Sequence, residues 1–149
     1  MNTDEIIKKM TSRDTDQVWS AANEIISLGQ DRDRILPLIP FLPSIIEKTK
    51  GLEMGGLYAP NSRFIDQAIR TIEFHRDSKE CPCQLYLRGS DGPSPETETK
   101  KGYVSILDTV KTEDQYVDFY KVECNLCQRH FKVIERESHY MWWGWSVWE

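Results

Sequence analysis

Cysteine and histidine are scarce in this chain, and long apolar runs are missing. Of 149 residues four are cysteine and three are histidine. No stretch reaches the ~20 apolar residues that a bilayer-crossing helix needs. The opening Met-Asn-Thr-Asp-Glu-Ile-Ile-Lys-Lys-Met mixes charge with isoleucine and does not resemble a secretory signal. A cytoplasmic protein with no membrane partner is therefore expected. In that compartment thiols stay reduced, so paired cysteines read as metal ligands before disulfides. Clustered basic charge is missing too. The net charge is −5: residues 1–76 carry 10 basic and 11 acidic side chains, and residues 77–149 carry 9 and 13. Phosphate backbones are bound by grouped Lys and Arg, and the scattered Arg63, Arg70 and Arg76 are not a group. This disfavours nucleic acid as a partner and favours a basic protein. No Ser-His-Asp order, glycine-rich phosphate loop or metalloprotease helix motif occurs, so a non-catalytic protein is expected. An enzyme would need a cleft lined by titratable groups, for which Tyr58, Asn61, Glu73 and His75 are the candidates.

The few cysteines are not scattered. They form two tight pairs, Cys81-Pro82-Cys83 and Cys124-Asn125-Leu126-Cys127. Two cysteines on one turn aim both sulfurs at one centre, and two such turns complete a tetrahedral shell for one Zn²⁺. Cys81, Cys83, Cys124 and Cys127 are the predicted ligands of a single structural zinc, with iron the chemical alternative. Four thiolates leave no open position for water or substrate, which argues against catalysis at the metal. The rival readings are buried structural thiols and a redox-sensitive site. His75, His130 and His139 lie near the proposed region, and His130 is close enough to Cys127 to contact a ligand.

Residues 1–76 read as helical. Thr3 is a candidate cap for a helix from Asp4 to about Met10, and a second helix follows Asp14 or Thr15. Val18, Trp19, Ala22, Ile25 and Ile26 form its apolar stripe, and Gly29 stands where a left-handed cap belongs. Pro37, Pro40 and Pro43 forbid one straight helix, so a short helix near 32–39, a break and a helix from Pro43 to before Gly51 are expected. Residues 51–60 read as a loop. Asn61 or Ser62 caps an amphipathic helix whose inward face is Phe64, Ile65, Ala68, Ile69 and Ile72.

Residues 77–149 change to a period of two. Strands are expected over 84–88, 103–109, 116–123 and 131–136, with an exposed polar loop or hairpin tip over 89–102. Residues 138–148 extend the sheet and carry four of the five tryptophans. Alternation puts Met141, Trp143 and Trp145 on one face and Trp142 on the other. Glu135 and Glu137 share a strand face. The predicted class is α+β: an all-helical bundle or helix pairs, followed by a small antiparallel metal-stabilised β region.

Four resemblances go with this sequence. Ile35-Leu36-Pro37-Leu38, within 14–74, is similar to helical repeats of the HEAT type. Residues 80–136 with their two cysteine turns resemble zinc ribbons, although Cys81-Pro82-Cys83 is one residue tighter than their usual pair. The Cys-x-Cys and Cys-x-x-Cys pairing also resembles the zinc switch of redox-activated bacterial chaperones. In size and acidity the chain is similar as a class to bacterial immunity proteins, which neutralise a toxin that is often a basic nuclease. That likeness implies a protein partner met by Asp108, Glu113, Asp114, Asp118, Glu123, Trp142 and Trp145.

Overall fold

The structure, a computed structural model, describes residues 1–56, 61–89 and 91–149. The chain divides into two compact units, Met1–Pro82 and Cys83–Glu149. The class is α+β, with the helices N-terminal and a four-stranded antiparallel sheet C-terminal.

The first unit begins with α1, Thr3–Met10, and α2, Thr15–Ser27. Asn2, not Thr3, caps α1, accepting from the Glu5 N–H at 2.8 Å. Asp14 caps α2 by accepting from the N–H groups of Asp16 and Gln17. The proline run behaves as its chemistry requires. α3 is a single turn, Arg32–Ile35; Leu36–Phe41 is a 3-10 helix holding Pro37 and Pro40; and Pro43 sits in the first turn of α4, Leu42–Thr49. A proline has no N–H to donate and crowds the preceding turn, so an α ladder cannot run through 37–40. The long α5, Ser62–Asp77, completes the unit. Met10, Val18, Ile25, Leu38, Ile45 and Ile72 are fully buried, two of them from α2 and one each from α1, the 3-10 helix, α4 and α5. Tyr58 and the rest of 57–60 lie outside the described residues.

The expected left-handed cap at Gly29 is not formed. α2 ends at Ser27 with Leu28 as its cap, and Gly29 is not among the residues with positive φ. The last turn tightens instead: Leu28 N–H donates to Glu24 and Ile25 carbonyls, and Gly29 N–H to Ile26. This leaves the Gly29 carbonyl for His75, whose Nε2 lies 2.7 Å away. A carbonyl only accepts, so Nε2 carries the proton and Nδ1 does not. Nδ1 is buried without a hydrogen-bond partner.

The second unit opens within a 3-10 turn, Pro82–Tyr86, where a strand over 84–88 is expected from sequence. Pro82 presets this turn, and the Leu87 and Arg88 N–H groups bond back to Gln84 and Tyr86. The polar stretch 89–102 contains a helix, α6, Pro95–Lys100. Proline at its first position, Glu96 and Glu98 in its first turn and Lys100 in its last all favour it. It buries only Pro95 and Glu98, so it carries no apolar stripe to betray it. Gly102, at φ +86°, ends it in a Schellman motif: Tyr103 N–H bonds to Glu98 and Gly102 N–H to Thr99.

Four strands then form a meander in sequence order: β1 Val104–Lys111, β2 Val117–Cys124, β3 His130–Ser138 and β4 Tyr140–Val147. One face is the core of this unit. Val122 pairs with Phe131, and Tyr120 with Val133, which pairs with Trp145. Trp145 stacks on Tyr86 with ring centres 4.1 Å apart, and Phe131 meets both rings edge-on. On the other face Lys121 and Lys132 are cross-strand partners. Each lies over a ring, Lys121 over Trp148 at 4.8 Å and Lys132 over Phe119 at 4.5 Å. The lysine stems thus shelter apolar surface on that face.

Gly92 is where this packing leaves no room. A Cβ there would fall 2.3 Å from Trp145 Cδ1 and 3.1 Å from the Trp143 carbonyl. The indole cannot retreat, since it is stacked on Tyr86 and donates its N–H to the Pro93 carbonyl at 2.9 Å. Gly92→Ala is expected to cost about 1–3 kcal/mol through overpacking, read as a lower denaturant midpoint with altered tryptophan fluorescence.

His75 gives the helical unit a pH response. Burial holds its pKa below 6.5; the Gly29 bond opposes this, Arg32 adds to it and Asp31 opposes it. The neutral imidazole is thus the folded form. Its contribution is complete above 6.5, the unfolded value, and is lost as pH falls through the lower folded value. The helical unit is expected to lose stability on acidification through that window, and His75→Gln to lose less across the same range in helical circular dichroism melts.

Candidate metal centre

The four cysteine sulfurs lie within 4.8 Å of one another. Two local turns bring this about. Cys83 begins the chain's approach to the core just before Tyr86, and is fully buried. Cys124 ends β2, and the chain turns through Asn125, Leu126 and Cys127. Cys124 O accepts from Gln128 N–H at 2.9 Å, and Cys124 N–H donates to Arg129 O at 2.8 Å. Gln128 takes the left-handed conformation, φ 65°, that closes the turn and starts β3.

The geometry matches a metal–thiolate shell and not a disulfide. Cys83 Sγ and Cys127 Sγ are 3.6 Å apart, and the four remain unbridged. A tetrahedral zinc with bonds of ~2.3 Å separates its sulfurs by about 3.8 Å. Burial is graded: Cys83 and Cys124 are buried, Cys81 is half-buried and Cys127 is exposed. Four converging thiols of this kind can hold one metal ion.

Histidine does not join them. His130 Nε2 is 2.8 Å from Glu123 Oε2, its cross-strand partner on the adjacent central strand. His75 bonds to Gly29, and His139 sits at the left-handed turn between β3 and β4. The metal-capable group among the described residues is cysteine alone.

Asn125 carries a role that sequence inspection passes over. Its backbone N–H donates to Tyr103 O at 3.0 Å, its Nδ2 to Gly102 O at 2.9 Å, and its Oδ1 accepts from Ser105 Oγ at 2.7 Å. The cysteine turn is therefore clamped to the Schellman cap of α6. The first variable position of a Cys-x-x-Cys motif carries no spacing signal, and the clamp depends on a helix that composition disguises.

The predicted partner-binding residues divide. Asp108, Glu113 and Asp114 are exposed on β1 and the β1–β2 hairpin. Asp118 is paired with Arg136 at 2.8 Å, and Glu123 with His130. Trp142 is half-buried, on the sheet face opposite Trp145. Trp145 is a correction: at 4% exposure, stacked on Tyr86 and hydrogen-bonded to Pro93, it is core and cannot anchor a partner. Glu135 accepts from Tyr120 OH at 3.1 Å and Trp143 Nε1 at 2.9 Å, both on Oε1. Burial first, then this bond, pushes the Tyr120 phenol up. Of the cleft candidates, Asn61 donates to Met54 O, Glu73 is 3.9 Å from Arg76, and His75 is buried.

No helix among the described residues is long and apolar enough to cross a membrane. Comparison with protein-family models, curated proteins and solved structures gives no match.

Asn125→Ala is expected to weaken metal binding about tenfold, the usual scale for losing a group that orients a ligand. Competition with a chromophoric chelator measures it. His130→Ala is expected to leave that affinity unchanged.

Proposed function

We propose that this chain is a non-catalytic protein-binding module whose β unit is held by one structural zinc. The observation that carries the reading is the convergence of Cys81, Cys83, Cys124 and Cys127 to within 4.8 Å, with two of the sulfurs at the spacing of a zinc–thiolate edge. A shell of four thiolates supplies folding energy and offers no coordination site to a substrate. This is the logic of a zinc ribbon, built here on two turns of unequal length. Such a site persists where thiols are kept reduced, which fits a cytoplasmic protein.

Protein binding rests on the surface. Asp108, Glu113 and Asp114 are exposed near Leu107 and Tyr116, apolar side chains at 48% and 74% exposure. Acidic charge beside exposed apolar and aromatic area suits a basic protein partner. An immunity protein that neutralises a basic toxin is the biological role we favour.

A second reading, nucleic-acid binding, draws on Lys121 and Lys132 beside Trp148 and Phe119. It predicts strongly salt-dependent binding to single strands in a gel-shift assay. A third, redox sensing, draws on the exposed Cys127. It predicts metal release by mild peroxide.

Elemental analysis of the purified protein is expected to find one zinc per chain. Chelation, or Cys83→Ser, is expected to unfold the β unit, seen as loss of tryptophan near-UV signal, while the helical signal survives. A metal-free protein with an intact β unit would end this reading; iron in place of zinc would correct the metal and keep the staple.

A further inference from the structure

At the end of the sheet away from the cysteine turn, the β1–β2 and β3–β4 hairpins frame a hollow of about 490 Å³. Tyr116, Val117 and Met141 give it apolar and aromatic lining, and Glu135 and Glu137 give it charge. Tyr116 is 74% exposed and Met141 45%, high values for side chains of this size. Burying them against a partner would remove apolar area from water.

The charge of the hollow is decided residue by residue. Asp118 and Arg136 both line it, but they satisfy each other: Arg136 Nη2 bonds to Asp118 Oδ1 at 2.8 Å, and Nη1 to the Asp118 carbonyl at 2.7 Å. Glu135 and Glu137 remain as the uncompensated charge. They are two apart on β3 and share a face, with cross-strand partners Trp143 and Met141. Glu135 is held in place by Tyr120 and Trp143, whose donors both reach Oε1 and leave Oε2 to a ligand. Glu137 is exposed and has no side-chain partner among the described residues. A fixed carboxylate loses little freedom on binding, which is where an exposed ion pair otherwise loses most of its value.

A long cation with an aliphatic stem complements this arrangement. We propose that the hollow is a docking site for an arginine side chain of a polypeptide partner. Its methylenes would lie along Met141 and Val117, its guanidinium would reach Glu135 Oε2 and Glu137, and Tyr116 would close over it. This rests on the protein-binding reading above and deepens it: the acidic hairpin residues Glu113 and Asp114 would steer a basic partner, and the hollow would fix its register.

The test uses the full-length, metal-loaded protein and the peptide acetyl-Gly-Ser-Arg-Ser-Gly-amide, followed by ¹H–¹⁵N and methyl NMR at low salt. Shift changes are expected at Tyr116, Glu135, Glu137 and Met141, with the norleucine analogue of the peptide giving none. The Glu135→Gln/Glu137→Gln double variant should weaken binding about tenfold. It keeps an acceptor at position 135 for Tyr120 and Trp143, and its unperturbed spectrum certifies the fold. Glu113→Gln/Asp114→Asn removes equal charge outside the hollow and should change affinity by less than about twofold. Shifts confined to Asp108, Glu113 and Asp114, or equal losses in the two double variants, would overturn the hollow and leave an acidic binding surface. Equal binding of the norleucine peptide would overturn the arginine assignment. No shift anywhere would count against both the site and the basic-partner reading.

Discussion

The β unit depends on one buried hydrogen bond, from Tyr86 OH to Glu98 Oε1 at 2.8 Å. Tyr86 belongs to the 3-10 turn that carries Cys83, and Glu98 to α6, the helix whose C-terminal cap holds the Cys124–Cys127 turn. Each end of the bond thus leads to one cysteine pair. A carboxylate at 3% exposure is costly unless it is paired. Here the phenol hydrogen-bonds Oε1, and the Lys101 ammonium, 3.3 Å from Oε2, pairs the charge without a hydrogen bond to that oxygen. Burial raises the Tyr86 phenol far above its usual range, with the Glu98 charge next, so it stays a donor at any physiological pH. The ring adds a second constraint. Stacked on Trp145 and edge-on to Phe131, it joins the turn to β3 and β4 as well as to α6.

This arrangement accounts for what a metal would add. A unit of four short strands and a single helical turn or two buries modest apolar area by itself, and small units of this kind commonly need a staple. The aromatic cluster and the Tyr86–Glu98 bond bring Cys83 to the β2–β3 turn, and the Asn125 clamp sets that turn's backbone. The contacts that fold the unit are thus the ones that hold the sulfurs together, so metal binding and folding of the β unit are coupled.

The helical unit was legible because its signals are strong and local. Apolar residues recur at helical spacing in α2 and α5, and three prolines leave only one way to break the chain between them. The cysteine centre was legible for a similar reason, since spacing alone encodes two chelating turns. What lay hidden was tertiary. α6 buries a charged residue instead of an apolar stripe, so its polar sequence resembled a loop, and the 84–88 segment has strand-forming Leu85 and Tyr86 but is shaped by Pro82. Gly29 looked like a left-handed cap, yet its value lies in a carbonyl offered to His75. Trp145 looked like one of several surface candidates. Contacts distant in sequence make it core: the stack on Tyr86, and a hydrogen bond to the Pro93 carbonyl 52 residues earlier, beside Gly92.

The two central strands tie the cysteine turn to the hollow. β2 runs from Val117, in the wall of the hollow, to Cys124; β3 leaves the cysteine turn at His130 and reaches Glu135 and Glu137. A site on strands holds its geometry better than one on loops, provided the strands cannot slide or fray. β2 and β3 are joined by a ladder from Phe119–Ile134 to Glu123–His130, and the turn beyond that ladder is the one a metal would lock. A slip of one residue would move Glu135 to the opposite face and separate it from Tyr120 and Trp143. Fixing the turn opposes that slip. A structural ion at one end of the sheet can thereby preserve a recognition surface at the other while touching no partner itself.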